Sequence, residues 1–199
     1  MDLHAFLRSR RSVRRFSDVP VSRTVLERII ETATYAPSAH NRQPWRFAVL
    51  TNAPSKSQLA RGMAVAFRRD LEADGLPLAE VESLIEKSRS RIQAAPVVII
   101  LCMDMSEMDP YPDSRRQTAE RTMALQSTSL AGLQLLLAAH AEGLAGVWNC
   151  APLFAPGPVG EALDLPPTWE PQGMLLVGFP AETPRLRARK PVREIAIIR

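Results

Sequence analysis

Two short basic segments hold the residues best suited to gripping an anion. Arg10, Arg11, Ser12, Val13 and Arg14 follow one another directly, and in extended backbone alternate residues project to one side. Arg10, Ser12 and Arg14 then form a set of two guanidiniums and a hydroxyl, able to hold a phosphate and an adjacent polar ring. Near the other end, Arg187-Ala188-Arg189 repeats the alternation. The first and last fifteen residues carry eleven cations against two acids, whereas the residues between them carry fourteen cations against nineteen acids. Ten of the eleven terminal cations are arginine, whose planar fork suits fixed phosphate geometry better than a lysine point charge. From charge alone three readings stay open: solvated or targeting charge runs, a nucleic-acid footprint, or two ends meeting around one small multiply charged anion.

A third segment offers polar recognition groups. Ala36-Pro37-Ser38-Ala39-His40-Asn41-Arg42-Gln43-Pro44-Trp45 sets Ser38, Asn41 and Gln43 between two prolines that stiffen the loop. Such a loop suits the carbonyl and ring-nitrogen edge of a heterocycle, or equally a well-bonded turn. His140 falls near the C-terminal end of an apolar helix, where a hydrogen-bonded or dipole-stabilised histidine is expected. Cys150 is expected to be a buried space-filler. Met103, Met105 and Met108 are expected in loop packing or a lid. Arg68 and Arg69 could meet an acidic substrate or sit on a solvated helix face. The chain contains no G-x-G-x-x-G, no P-loop, no metal-spaced His/Cys cluster and no convincing Ser-His-Asp arrangement.

The elements that must position these groups follow from periodicity. Helices are expected at Leu3–Arg8, at Ser22–Tyr35 with a Thr24/Glu27 capping box, and over 56–72 and 78–93. A long helix is expected from Ser114 to Glu142, closed by Gly143 and buried on nearly every side. Strands are expected at Trp45–Thr51, Pro96–Met103, Val147–Cys150, Met174–Phe179 and Ile195–Ile198, with a proline-rich loop over Pro152–Pro158 before a short helix to Leu163. The result is a mixed α+β layout.

The 199 residues, 46% hydrophobic and 23% charged, are enough for one well-cored domain and exclude a disordered tail or a fibre. Residues 1–199 read as a single domain without repeats or linkers. The two cysteines cannot build a secreted disulfide framework. Apolar runs are too short or too interrupted for a membrane span, and the N-terminus lacks the apolar middle of a signal peptide, so a cytoplasmic location is expected.

Four stretches in order, R-R-S-V-R-R-F, A-P-S-A-H-N-R-Q-P-W-R-F, E-G-L-A-G-V-W and L-V-G-F-P-A-E with R-x-R-K-P, resemble the FMN-dependent nitroreductase family. Within it, Met63–Ile100 and Leu163–Met174 look most like the nitroreductase-like C-terminal domain of the bifunctional enzyme of deazaflavin coenzyme biosynthesis. The resemblance implies a nitroreductase-like α+β fold, a mixed central sheet flanked by helices, a long buried central helix, and an intertwined homodimer with FMN in two interface clefts. It implies that Arg10, Arg11, Ser12, Val13 and Arg14 bind FMN, with Arg187 and Arg189 completing the phosphate grip. Pro37, Ser38 and Asn41 would come from the other protomer, with Gln43 supporting their loop. Backbone around Gly146, Val147 and Trp148 would face the flavin ring, Arg14 its pyrimidine edge, and the last strand would embrace the partner. The implied activity is hydride transfer from NADH or NADPH through FMN to a nitro, quinone or deazaflavin-type acceptor, without catalytic side chains, metal, nucleic acid or membrane. The alternative is a non-catalytic flavin- or nucleotide-binding carrier or sensor.

Overall fold

The computed structural model describes residues 2–184 and 187–199, so Arg185 of the basic tail lies outside the described residues. Four strands make the sheet: β1 (Trp45–Leu50), β2 (Val97–Asp104), β3 (Ala145–Asn149) and β4 (Trp169–Gly178), in the order β1-β2-β4-β3. Their pairings are all antiparallel, and a parallel bridge joins Ser12 to Gly146 on the outer edge of β3. The β-branched run of β2 is buried along its whole length because both its faces are covered. Period-two alternation divides its side chains between two cores. Val98, Ile100 and Cys102 pack under Leu59, Met63, Ile92 and Val159. On the other face Val97 and Ile99 pack with Leu26, Ile29, Leu135 and Ala139.

The described residues form seven helices: α1 (Leu3–Ser9), α2 (Arg23–Ala33), α3 (Ala53–Ala73), α4 (Leu78–Ala94), α5 (Ser114–Ala141), α6 (Pro156–Leu163) and α7 (Val192–Ile195). Ser22, Asn52 and Asp113 start α2, α3 and α5 by accepting the N–H of Val25, Ser55 and Arg116. The α2 cap is therefore Ser22 rather than a Thr24/Glu27 box, and Glu27 instead pairs with Arg23 at 2.6 Å. The stretch expected as a proline-rich loop holds a 3₁₀ turn at Ala151–Phe154 and the start of α6. Prolines in a first turn give up no helical hydrogen bond.

Two further expectations need correction. The long helix α5 is not buried all round: Ala124, Ala131, Gly132 and Ala139 face the interior, while Leu125, Leu130 and Leu133 are more than two-fifths exposed. Small residues let the helix sit close to the sheet, which sends the leucines outward. Ile195–Ile198 does not form a strand either. Ile195 ends α7, and Ile197 and Ile198 are 83% and 89% exposed. A strand exists only through pairing, and among the described residues this arm has no neighbour to pair with.

One buried charge went unnoticed in the sequence. Lys56 on α3 is 8% exposed and donates to the carbonyls of Ala95 at 2.7 Å and Gln93 at 3.3 Å, at the C-terminal end of α4. Bonds of this charged type contribute roughly 1.5–3 kcal/mol, and here they tie the two helices of the hairpin together.

Candidate functional site

The basic head is positioned by α1 and by the sheet edge. Phe6 stacks on the His140 ring at 5.0 Å between centroids, and Ser9 Oγ lies 2.6 Å from His140 Nε2. Arg10 then leaves the helix in extended backbone. Val13 N donates to Gly146 O at 3.2 Å, and the Val13 side chain is 2% exposed. Alternation consequently turns Ser12 and Arg14 outward, where both are exposed. Val13 contributes backbone and core packing, not a side chain, to anything bound here.

The tail comes back to the head. Phe16 bridges Pro180, Ser17 N donates to Phe179 O at 2.9 Å, and Ala181 N donates to Arg15 O at 3.1 Å. Burial, then the neighbouring charges of Arg11 and Arg189, depress the Arg10 pKa below its ordinary value. Arg189 is thus close enough to Arg10 to repel it, with Arg187 two residues away on exposed backbone. Arg11 donates to the carbonyls of Arg8 and Arg10, while its buried Nε has no partner. None of Arg10, Arg11, Arg14, Arg187 or Arg189 forms a salt bridge among the described residues. A cluster of guanidiniums without acids, one carrying an orphaned buried N–H, fits a multiply charged anion such as the phosphate of FMN.

Beside this cluster lies a cavity of about 260 Å³ lined by Arg14, Arg91, Val147, Trp148, Asn149 and Cys150. Because the Gly146 carbonyl points outward to Val13, the next outward-pointing backbone on the free edge of β3 belongs to Trp148. The indole itself turns inward. A Cβ on Gly132 would stand 2.2 Å from the ring, and one on Gly173 would stand 3.0 Å from it, so these glycines make the slot it occupies. Trp148 Nε1 donates to Cys150 Sγ at 3.2 Å. Cys150 is exposed at this cavity rather than a buried filler. Cys102 is the buried cysteine, and burial pushes its thiol up to about 12.

A larger cleft of about 550 Å³ opens between α3, α4 and the 3₁₀ turn after β3. It shares Arg91, Asn149 and Cys150 with the smaller cavity. Its cations are Lys87 and Arg91, which the sequence reading passed over in favour of Arg68 and Arg69. Those two instead pair with Glu82 and Asp70. The missed signal was the spacing of Leu84, Lys87, Ser88 and Arg91, one face of a helix.

The polar loop stands elsewhere in the protomer. His40, Asn41 and Gln43 adopt positive φ of 50°, 55° and 49°, a cost borne only where surroundings impose it. Ser38 Oγ accepts Gln43 N at 3.2 Å, and Gln43 Nε2 donates to Asn41 Oδ1 at 3.3 Å. Ala39 N donates to Ser127 Oγ at 3.2 Å, anchoring the loop to α5. Pro37, Asn41 and Gln43 stay exposed. The loop meets α5 at Ser127 and the basic head meets it at His140, which at 1.5 Å per residue is about 20 Å along the helix. Among the described residues no hydrogen bond joins Pro37, Ser38, Asn41 or Gln43 to the arginines of the cluster.

The remaining candidates are structural. His140 is the bonded histidine expected; burial, then the Arg10 charge, lower its pKa. Met103, Met105 and Met108 pack together around Ala124. Among the described residues no group of three or more His, Cys, Asp or Glu is placed to hold a metal ion, and no helix is long and apolar enough to cross a membrane.

Known proteins resemble this chain in sequence and in fold. A Bacillus subtilis (strain 168) protein, YfhC, assigned by name to the NAD(P)H nitroreductases, is 26% identical over 192 residues, covering 96% of this chain and 91% of that one. A 4-nitrobenzoate reductase of Pseudomonas putida is 42% identical over 91 residues, 45% of this chain and 38% of its own length. In fold, a BluB-like flavoprotein from Clostridium difficile 630 superposes with a TM-score of 0.84 at 22% identity, covering 100% of this chain and 99% of the other. A nitroreductase-type protein from Desulfovibrio desulfuricans, crystallised in complex with FMN, gives 0.77 at 24% identity, covering 100% and 97%. The model of the nitroreductase family matches residues 7–179, a span that includes the basic head, the polar loop and both cavities, and the chain belongs to that family.

Proposed function

We propose that this protein is an FMN-dependent oxidoreductase that draws on NADH or NADPH and reduces a small-molecule acceptor. The observation that carries the reading is the acid-free arginine cluster, assembled from both ends of the chain beside the free edge of β3. Arg10, the orphaned Nε of Arg11, Ser12 and Arg14 would hold the cofactor from the head, and Arg187 and Arg189 would close on its phosphate from the tail. Outward-pointing backbone at Trp148 would meet the ring, beside Val147 in the wall of the small cavity; Gly146 has already given its carbonyl to Val13. When bound, FMN supplies a two-electron carrier between the nicotinamide donor and the acceptor. The chain supplies position, charge and exclusion of water, with no side chain acting as acid or nucleophile.

A homodimer completes the site. The loop and the basic head are anchored about 20 Å apart along α5, which supports a second copy as the source of Pro37, Ser38, Asn41 and Gln43. Leu125, Leu130 and Leu133 on α5 and the arm of Val192, Ile195, Ile197 and Ile198 are the apolar surface such a copy would cover. Acceptors fall among nitro compounds, quinones and deazaflavin-type heterocycles. The name of the Pseudomonas relative favours the first, and the resemblance of Met63–Ile100 and Leu163–Met174 to the deazaflavin enzyme's domain favours the last. Two free thiols, Cys102 and Cys150, suit a reducing cytoplasm.

The test is anaerobic stopped-flow on purified protein. Yellow protein whose flavin absorbance bleaches on adding NADH or NADPH, and recovers on adding a quinone, is the expected outcome. Protein that takes up no flavin overturns the reading. Protein that binds flavin but is never reduced by either donor is a carrier module.

A further inference from the structure

We infer that the 550 Å³ cleft selects acceptors joining a planar apolar ring to a carboxylate, and that Lys87 and Arg91 make that choice. The inference rests on the oxidoreductase reading and names the acceptor class for it. Leu84, Lys87, Ser88 and Arg91 recur at helical spacing, so a single face of α4 lines the cleft. Met63, Phe67 and Leu71 do the same on α3, four residues apart. The α3 wall is thus apolar and aromatic over Met63, Phe67 and Leu71, with Asp70 and Asp74 at its end, the facing wall carries two cations, and Phe154 also lines the cleft.

These cations have no protein counter-ion. Neither Lys87 nor Arg91 forms a salt bridge among the described residues. Four of the hairpin's acids, Asp70, Glu72, Glu82 and Glu86, are paired with other arginines. On its opposite face Glu82 holds Arg68 at 2.6 Å and Glu86 holds Arg89 at 3.5 Å. On the cleft side Asp70 is taken by Arg69 at 2.9 Å, and Asp74, at the end of α3, reaches neither cation. The same two helices therefore neutralise cations on the outside and leave a pair free on the inside, spaced one helical turn apart. A concave, apolar surface bordered by unpaired charge concentrates ligands of opposite sign. Arg91 is also a wall of the smaller cavity beside Arg14, so an acid anchored at Lys87 and Arg91 sits where the two cavities join. The volume suits one or two fused rings with substituents.

The experiment titrates FMN-reconstituted protein with 2-naphthoate and 2-naphthamide, ligands of one shape and two charges, by isothermal calorimetry. Native protein is expected to bind the carboxylate roughly ten-fold more tightly. Lys87→Gln/Arg91→Gln is expected to abolish the preference, Lys87→Glu/Arg91→Glu to reverse it toward 2-naphthylmethylamine, and the outer-face control Arg89→Gln to keep it. Equal affinity of the native protein for acid and amide, or a preference that survives in the double glutamine variant, overturns the inference. Flavin content and donor-dependent bleaching, measured on the same preparations, report separately on the oxidoreductase reading. A yellow, reducible protein without the charge preference fails here alone, and a preference in a protein that never bleaches fails there alone.

Discussion

Arg14 stands on the basic head and Arg189 on the basic tail, and the backbone beneath them is secured in different ways. The head is templated: Val13 is buried, its N–H is bonded to Gly146, and α1 is clamped to α5 through Phe6, Ser9 and His140. The tail is guided only as far as Ala181, whose N–H meets Arg15. Beyond it the residues from Arg187 to Arg199 are exposed throughout, and four apolar side chains among them cover nothing. The head is thus held by the fold of its own chain, whereas the end of the tail packs on nothing among the described residues.

The sharpest way to break this comparison is to remove the arm. A chain ending at Lys190 loses Val192, Ile195, Ile197 and Ile198, each worth about 1.5–3 kcal/mol if fully buried on a partner. The dimer dissociation constant, followed by sedimentation velocity, is expected to rise at least about 1,000-fold. A truncated protein that stays dimeric at nanomolar concentration would place the interface elsewhere. A smaller effect separates the two arginines. Arg14→Ala is expected to weaken FMN binding roughly 30-fold, since a charged hydrogen bond on fixed backbone is lost. Arg189→Ala, on the unanchored segment, should cost about five-fold, because its side-chain entropy offsets much of the gain. Equal losses in fluorescence titration would show the tail to be as well fixed as the head.

The smallest effect is a titration. Burial, then Arg10, hold the His140 pKa below its ordinary value, so the folded state binds this proton less readily than the unfolded chain. Stability from that source is present above the ordinary histidine pKa of about 6.5 and is lost as pH falls through the lower folded value. A bound dianion beside Arg10 should raise that folded value. NMR titration of the ring with and without FMN checks the direction; no upward movement would mean that the anion does not meet Arg10.

Much of the scaffold could be read before the structure. The β-branched run ending at Met103 foretold a doubly covered strand, and Gly143 marked the end of α5. The turn of the basic head was legible because Val13 among arginines is a local alternation. What stayed hidden was anything set by two segments at once. Lys87 and Arg91 look like ordinary solvated cations until the floor formed by Asn149 and Cys150 is brought against α4. Lys56 looks the same until the carbonyl of Ala95 reaches it. The leucines of α5 were read as core because composition counts apolar residues without saying which face the small ones claim.

By themselves, the residues determined the periods of the helices and strands, the excess of guanidinium at both ends, and the family motifs. Each of these is fixed by neighbours within a few positions, where sterics and side-chain spacing act directly. Tertiary structure alone decided that head and tail meet, that Arg14 shares a cavity with Arg91, and that the polar loop is anchored to α5 at Ser127. Those are distances between segments far apart in sequence, and they are set by how the sheet and its two cores pack rather than by any local preference.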